Sequence, residues 1–186
     1  MPLTALVRQL QQVPLTGEVL ERSRRPDRLR LQGASRGARA LLASAMARCE
    51  GAPLLVVVPT LEEAGRWAAL LELMGWPTTQ LYPTSEGSPY EAFDPTSEIT
   101  WGQLQVLSEL VDEQGEGWQG VIVATERALQ PHLPPPAVLA DQCLTLRKGT
   151  SIDLEELAAS LARLGYERVS TIEQEGSWSR RGDIVD

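Results

Sequence analysis

The chain has 186 residues, of which 42% are hydrophobic, and its formal net charge is −8. This composition excludes an intrinsically disordered chain and supports one ordinary domain, or one domain and part of another. No apolar run reaches the length of about 18 residues that a transmembrane helix needs, and the sequence predicts no signal peptide. Two widely separated cysteines, Cys49 and Cys143, are typical of a cytoplasmic protein with ordinary thiols.

The charge is unevenly distributed along the chain. Residues 1–50 carry nine arginines and four acids, whereas residues 51–140 carry two arginines and twelve acids. An acidic central region argues against wrapping of duplex DNA, because contact with phosphates needs a basic face. One basic cluster is a candidate anion site or an ordinary solvated surface, and it consists of Arg22, Arg24, Arg25, Arg28 and Arg30.

The first half of the chain alternates predicted helices and strands. Residues 3–12 predict a short helix, and a polar, arginine-rich connection leads to a predicted strand, "RLRLQG", which ends at Gly33. A helix "SRGARALLASAMARC" follows with Ser35 as its cap, and "PLLVVVP" predicts a strand buried on both faces. Thr60 caps the next predicted helix, "LEEAGRWAALLELMG".

The same alternation continues beyond that helix. "TTQLYP" predicts a short strand, "EITWGQLQVLSELVDE" a helix, and "GVIVATERAL" a second buried strand. Alternation of strands and helices with blocks of β-branched residues indicates a parallel α/β sheet with flanking helices.

A proline-rich segment, Pro131–Pro136, predicts the boundary between a domain at 1–136 and a second one at 137–186. In the second domain, "QCLTLRKG" predicts a strand, and "DLEELAASLARLG" a helix capped by Ser151 or Asp153. "YERVSTIEQEG" and "SWSRRGDIVD" predict neighbouring antiparallel strands with Gly176 at the turn. This small α+β domain is interpreted as incomplete, because the pattern stops in mid-strand at Asp186.

The segment "LQGASRGARALLAS" has the spacing of a phosphate-binding loop without its key residues. With Gly33 as the first glycine, Ala38 replaces the second glycine, Arg39 the lysine, and Ala40 the hydroxyl residue that binds Mg²⁺. We therefore expect negligible ATP hydrolysis and no bound cofactor. A random turn before a helix explains the loop as well as a decayed nucleotide site does, and a weak anion site at the helix start is a third interpretation.

No catalytic constellation or metal site is predicted. The single histidine, His132, lies in the proline-rich segment, and neither cysteine has an evident basic partner. A loop rich in acids and aromatics is interpreted as pinned to the domain surface rather than catalytic, and it includes Glu86, Tyr90, Glu91, Phe93, Asp94 and Glu98.

The last candidate site is a predicted partner-binding cluster, Trp178, Arg180 and Arg181, near a hairpin turn. Arginine beside tryptophan is the composition of a protein–protein hot spot. An ordinary surface pair on a hairpin is the alternative interpretation.

Read together, these segments resemble the N-terminal module of the bacterial transcription-repair coupling factor (Mfd) family, which is itself similar to the excision-repair protein UvrB. The resemblance covers roughly residues 29–186, and its most specific parts are "SPYEAFDP" before a helix and "LGYERVSTIEQEGSWSRRG". It implies a RecA-like α/β domain related to the first motor domain of UvrB, with a degenerate Walker A loop, followed by a small domain that docks on UvrA.

The resemblance also implies the roles of particular residues and partners. In the family, the arginine of the "R-G" step contacts UvrA, and the matching position is Arg181. UvrB has a tyrosine-rich DNA-clamping hairpin in the region that matches residues 83–100, and the comparison implies that this sequence lacks it. Binding of RNA polymerase and DNA, and the ATP and Mg²⁺ of the translocase motor, belong to other regions of the longer proteins.

We therefore predict a non-catalytic adaptor module that recruits UvrA to lesions where RNA polymerase has stalled. Two alternatives stay open at this point. One is a functional ATP-binding half of a helicase or NTPase, and the other is a direct DNA-binding domain that uses Arg22–Arg30.

Overall fold

The computed structural model of the chain describes residues 3–25, 29–84, 98–111, 117–130, 132–173 and 176–186. The chain divides into two compact units, Met1–Leu133 (unit 1) and Pro134–Asp186 (unit 2). Within the described ranges, every helix falls short of the length and apolar character needed to cross a lipid bilayer.

The described part of unit 1 alternates helices and strands. In chain order they are α1 (Leu3–Gln11), α2 (Pro14–Ser23), α3 (Arg36–Glu50), β1 (Leu54–Val58), α4 (Leu61–Leu73), β2 (Thr79–Tyr82), α5 (Glu98–Val111) and β3 (Val121–Thr125), with a short 3-10 helix, Arg127–Leu129, after β3.

The three strands form a parallel sheet in the order β1-β3-β2. Val123 lies at its centre, opposite Val56 on one side and Leu81 on the other. Parallel neighbours need crossover connections, and α4 and α5 supply them. The predicted α/β fold, with a parallel sheet flanked by helices, is confirmed.

Each face of this sheet has its own core. On one face, Val56 and Val123 share a buried cluster with residues of α1, α3 and α4, including Val7 and Leu71. On the other face, Tyr82 and Ala124 pack with Val106 of α5. The sheet thus separates two helical layers, and the face that carries Val56 is the more thickly covered.

The starts of α3 and α4 follow the predicted capping chemistry. The Ser35 hydroxyl accepts a hydrogen bond from the backbone N–H of Ala38 at 3.3 Å, and the Thr60 hydroxyl accepts one from that of Glu63 at 3.2 Å. Each cap satisfies one of the amides that the first turn of a helix leaves unpaired. Both predicted caps are confirmed.

Two predictions for the N-terminal region are wrong. In the "RLRLQG" segment, the described residues 29–33 form no strand, and Leu29 and Leu31 remain substantially exposed. Alternation stabilises a strand only when one face is buried and a neighbouring strand is available, and here neither condition is met. The arginine-rich connection contains an unpredicted helix, α2, which begins with Pro14 at its first position.

Unit 2 is built from short elements around a small buried centre. They are α6 (Pro136–Asp141), α7 (Leu154–Arg163), β4 (Glu167–Arg168), β5 (Ser177–Trp178), β6 (Arg180–Arg181) and β7 (Ile184–Val185). Asp153 caps α7, since its Oδ1 accepts the backbone N–H of Glu155 at 2.7 Å. Of the two capping residues proposed from the sequence, Asp153 is therefore the one used.

The strand predictions for unit 2 need correction. The "QCLTLRKG" segment forms no strand, and Leu146 within it is 60% exposed. β4 and β5 pair in parallel, and the antiparallel pair is instead β6 with β7. Alternation of polar and apolar residues is the same for both strand directions, so the pattern alone did not distinguish them.

Candidate partner-binding site

The loop before α3 has the glycine turn of a phosphate-binding loop but not the strand that leads into one. Gly33 has a φ of +76°, in the left-handed region where a side chain is strained. Residues 29–32, the described residues directly before it, form no strand, whereas a phosphate-binding loop connects a strand to a helix. Gly33 thus has the left-handed backbone of a turn, but the strand of the motif is missing from the described residues before it.

The three positions that match the second glycine, the lysine and the hydroxyl residue of that motif differ in their burial. Ala40, at the position of the Mg²⁺-binding hydroxyl, has 0% exposure and belongs to the core cluster of unit 1. Ala38 and Arg39 are exposed on the helix surface. The structure therefore does not bring the three positions together around a common ligand space.

The arginine in the first turn of α3 is already paired with a carboxylate. The guanidinium of Arg36 binds the carboxylate of Glu63 through two hydrogen bonds, Nε to Oε2 at 3.1 Å and Nη2 to Oε1 at 2.6 Å. Both side chains are about one third exposed, at 32% and 30%. Because its guanidinium is already bound to a carboxylate, Arg36 is not a free cation for a phosphate at this helix start.

One member of the basic cluster is neutralised within the fold. Arg24 forms an ion pair with Glu50 at the end of α3, while Arg22, Arg25 and Arg30 are exposed. Arg28 lies outside the described residues. A charge that is neutralised within the fold no longer contributes to attraction of phosphates.

The remaining catalytic candidates do not form a site. His132 and Cys49 are exposed, Cys143 is partly buried, and both cysteines are free. In the part of the chain that the structure describes, no group of three or more His, Cys, Asp or Glu residues is placed to hold a metal ion. The acid and aromatic loop lies outside the described residues except for Glu98, which begins α5.

Two pKa perturbations have their origin in the core of unit 1. Burial raises the pKa of the Tyr82 hydroxyl. Burial, followed by the positive charge of Arg8, lowers the pKa of the Arg48 guanidinium. Desolvation of a packed side chain explains both shifts, and neither residue lies in a candidate site.

The hairpin of unit 2 exposes the predicted partner-binding arginine. Arg181 opposes Ile184 across the β6–β7 pair, and Ile184 is 64% exposed. Gly182 has a φ of +63° and stands first in the two-residue loop, as a type II′ turn requires. The sequence interpretation had placed the turn at Gly176, and the structure moves it to Gly182.

The other two members of the predicted cluster have structural roles. Arg180 donates its Nε–H to the carbonyl of Gly182 at 2.8 Å, which ties the side chain to its own turn. Trp178 is 5% exposed, so its ring is a core group and not a surface contact. Arg181, on the separate strand β6, is exposed. The structure therefore separates the residues that the sequence grouped together.

One member of this region was missed by sequence reasoning. Arg168 of β4 lies opposite Trp178 in the parallel register, and its guanidinium carbon is 5.4 Å from the centroid of the tryptophan ring. In the sequence the two residues are ten positions apart, and this spacing predicts a contact only once the register of β4 and β5 is known.

Comparison with known proteins identifies the relatives of this chain. A family model described as the UvrB interaction domain matches residues 144–186. The transcription-repair-coupling factor of Mycobacterium bovis is 34% identical over all of this chain, which covers 15% of that protein. The Bacillus subtilis protein of the same name is 29% identical over 84% of the chain, and that of Escherichia coli K12 is 25% identical over 84%.

The chain spans 13% to 15% of the length of these three relatives. The Mycobacterium protein is similar over both units, and the family model covers most of unit 2. Over its whole length, the chain is similar to a short part of the transcription-repair-coupling factor of Mycobacterium bovis.

Proposed function

We propose that this chain is a non-catalytic adaptor of transcription-coupled nucleotide-excision repair, and that it binds UvrA through unit 2. In the longer proteins, this contact would bring UvrA to lesions where RNA polymerase has stalled. RNA polymerase binding and ATP-driven DNA translocation are assigned to regions that this sequence does not include.

The main support for the proposal is that the segment matched by the UvrB interaction domain model contains the exposed residue Arg181. The UvrB interaction domain match ends at Asp186 and includes the whole β6–β7 hairpin. That hairpin presents Arg181 beside an exposed Ile184. An arginine with an apolar neighbour is typical of the centre of a protein–protein contact.

The structure of unit 1 supports the non-catalytic part of the proposal. The position of the Mg²⁺ ligand, Ala40, lacks a hydroxyl and is buried in the core. Glu63 places a carboxylate at the start of α3, through its pair with Arg36. A nucleotide phosphate would therefore have neither the usual hydroxyl ligand for its metal nor a free Arg36 guanidinium at this loop.

Binding of UvrA is the experiment that tests the proposed function. The 186-residue chain is immobilised and exposed to purified UvrA in a biolayer interferometry measurement. We expect saturable binding that is independent of added DNA. Absence of binding at UvrA concentrations of several tens of micromolar would contradict the proposal.

Nucleotide binding is tested separately, because it distinguishes the adaptor from an NTPase. Titration of the chain with Mg-ATP in a calorimeter is expected to give no saturable heat, since the loop lacks the lysine and the hydroxyl that hold the phosphates and the metal. A dissociation constant in the micromolar range would establish the competing function.

A further inference from the structure

Strand β1 of unit 1 has one buried face and one exposed face. Val56 and Val58 belong to the buried cluster that this strand shares with α1, α3 and α4. The residues that alternate with them, Leu55 and Val57, are 55% and 45% exposed. The strand is apolar at every position, which is typical of strands that are covered on both faces. The exposed face of β1 therefore has the composition of a buried surface.

The backbone of β1 also has an open edge. In the described part of the sheet, β1 has one neighbouring strand, β3. The Leu54 N–H and the Val58 carbonyl form hydrogen bonds of 3.0 Å and 3.2 Å with backbone groups that flank β3. Alternate residues of a strand bond to the same neighbour, so the N–H and C=O groups of Leu55 and Val57 point to the other side. Among the described residues, these groups have no backbone partner.

The segment that contains β1 lacks the charges that normally protect an open edge. Residues 51–61 contain no acidic or basic side chain, although residues 51–140 carry twelve acids and two arginines. Charged side chains on an edge strand prevent its pairing with another chain. Two copies of an acidic chain therefore avoid like-charge repulsion along this segment.

Two prolines restrict the strand that can pair with this edge. Pro53 and Pro59 lie two residues outside Leu55 and Val57, in phase with the outward-pointing positions, and proline has no N–H to donate. In an antiparallel pair of β1 strands with Leu55 opposite Val57 of the second copy, both outward N–H groups and both outward carbonyls find partners. A shift by two residues in either direction places a proline opposite Leu55 or Val57. The edge of β1 is thus complementary to itself in one register.

We propose that two copies of this chain associate through β1, as antiparallel strands related by a two-fold axis at Val56. The two three-stranded sheets then join edge to edge, and the exposed Leu55 and Val57 side chains become cross-strand neighbours. This contact belongs to unit 1, is independent of UvrA binding by unit 2, and goes beyond the proposed function.

Sedimentation equilibrium of the 186-residue chain tests the association. A single pair of strands is far smaller than the interface of a stable dimer, so we expect a dissociation constant on the order of 100 µM. The average mass should rise from 20.4 kDa at about 5 µM toward twice that value at about 1 mM. A constant mass of 20.4 kDa would overturn the proposal. Growth beyond the dimer would overturn it as well, because a two-fold contact closes.

One substitution made on each outer strand of the sheet locates the contact. Leu55→Lys places a charge on the open edge of β1, and Leu81→Lys makes the same change at a 48% exposed position of β2. We expect Leu55→Lys to raise the dissociation constant by at least about tenfold, because the residue occurs twice in the contact. Leu81→Lys should dimerise like the unmodified chain. Equal effects of the two variants, or a larger effect of Leu81→Lys, would overturn the assignment to β1.

A second pair of variants distinguishes backbone pairing from contact of side chains alone. Val57→Pro removes an outward N–H that the sheet does not use, whereas Val57→Ala keeps it. We expect the proline variant to dimerise at least about tenfold more weakly than the alanine variant, since two backbone hydrogen bonds are lost per dimer. Equal dissociation constants of two folded variants, as judged by circular dichroism, would contradict pairing of the strand edges.

Amide exchange of the unmodified chain gives the same information without a substitution. The Leu55 and Val57 amides should exchange more slowly at about 1 mM than at about 5 µM, because the dimer places them in hydrogen bonds. Exchange that is independent of concentration at these two amides would overturn the proposal.

Discussion

Replacement of Arg181 by alanine is expected to weaken UvrA binding by about thirtyfold or more, which corresponds to at least about 2 kcal/mol. The side chain is exposed at the β6–β7 hairpin and lies opposite the exposed Ile184. Truncation removes a charged donor fork and leaves the facing carboxylate of the partner desolvated and unpaired. A calorimetric titration of each form with UvrA measures the change.

Two controls make this result specific. Arg163→Ala removes the same charge from α7 and is expected to change the affinity less than twofold, because a surface charge away from the interface contributes little. Arg181→Lys retains the charge and should bind with intermediate affinity. Unchanged binding by Arg181→Ala would remove this residue from the interface, even if the chain itself binds UvrA.

Substitution of Ala40 by threonine is expected to destabilise unit 1 by about 1–3 kcal/mol, although it restores a hydroxyl at the position of the Mg²⁺ ligand. Ala40 has 0% exposure and packs in the cluster that contains Val7, Val56 and Leu71. A larger side chain overfills this core, and its hydroxyl faces packed groups instead of a nucleotide. The free energy of unfolding from urea denaturation provides the measurement.

The matched control is Ala38→Thr, which makes the same change in the same helix at an exposed position. It is expected to cost only about 0.5 kcal/mol, through helix propensity alone. The account would be contradicted if the two substitutions had equal effects. Binding of Mg-ATP by the Ala40→Thr variant would contradict it as well.

The sequence predicted the sheet well because local and tertiary preferences agree there. In the "LLVVV" and "VIVAT" runs, the β-branched residues favour a strand. Burial favours it too, because both strands contribute residues to the buried cluster of unit 1. The caps at Ser35 and Thr60 are equally local, because each needs only a hydroxyl three residues before an unpaired amide.

Predictions failed where the outcome depended on a distant partner. "RLRLQG" has the alternation of a strand, but no other strand lies beside it in the described sheet. The parallel pairing of β4 with β5 depends on the path of the intervening chain, which alternation does not encode.

Only part of the candidate site could be predicted, because the rest depends on contacts between residues that are distant in the sequence. Arg181 could be named because a family motif contains it, and its exposure follows from the hairpin. The contact of Arg168 with Trp178 depends on the strand register, and the different burial of Trp178 and Arg181 depends on tertiary packing. Both facts became available only with the structure.

Hydrogen exchange with and without UvrA, resolved by mass spectrometry, is the most direct test of the central claim. We expect slower amide exchange in residues 166–186 when UvrA is bound, and unchanged exchange in residues 33–40. Amides at an interface lose contact with solvent, whereas those of a site without a ligand do not. Protection confined to residues 33–40, or no protection of the β6–β7 hairpin, would contradict an adaptor that holds UvrA through unit 2.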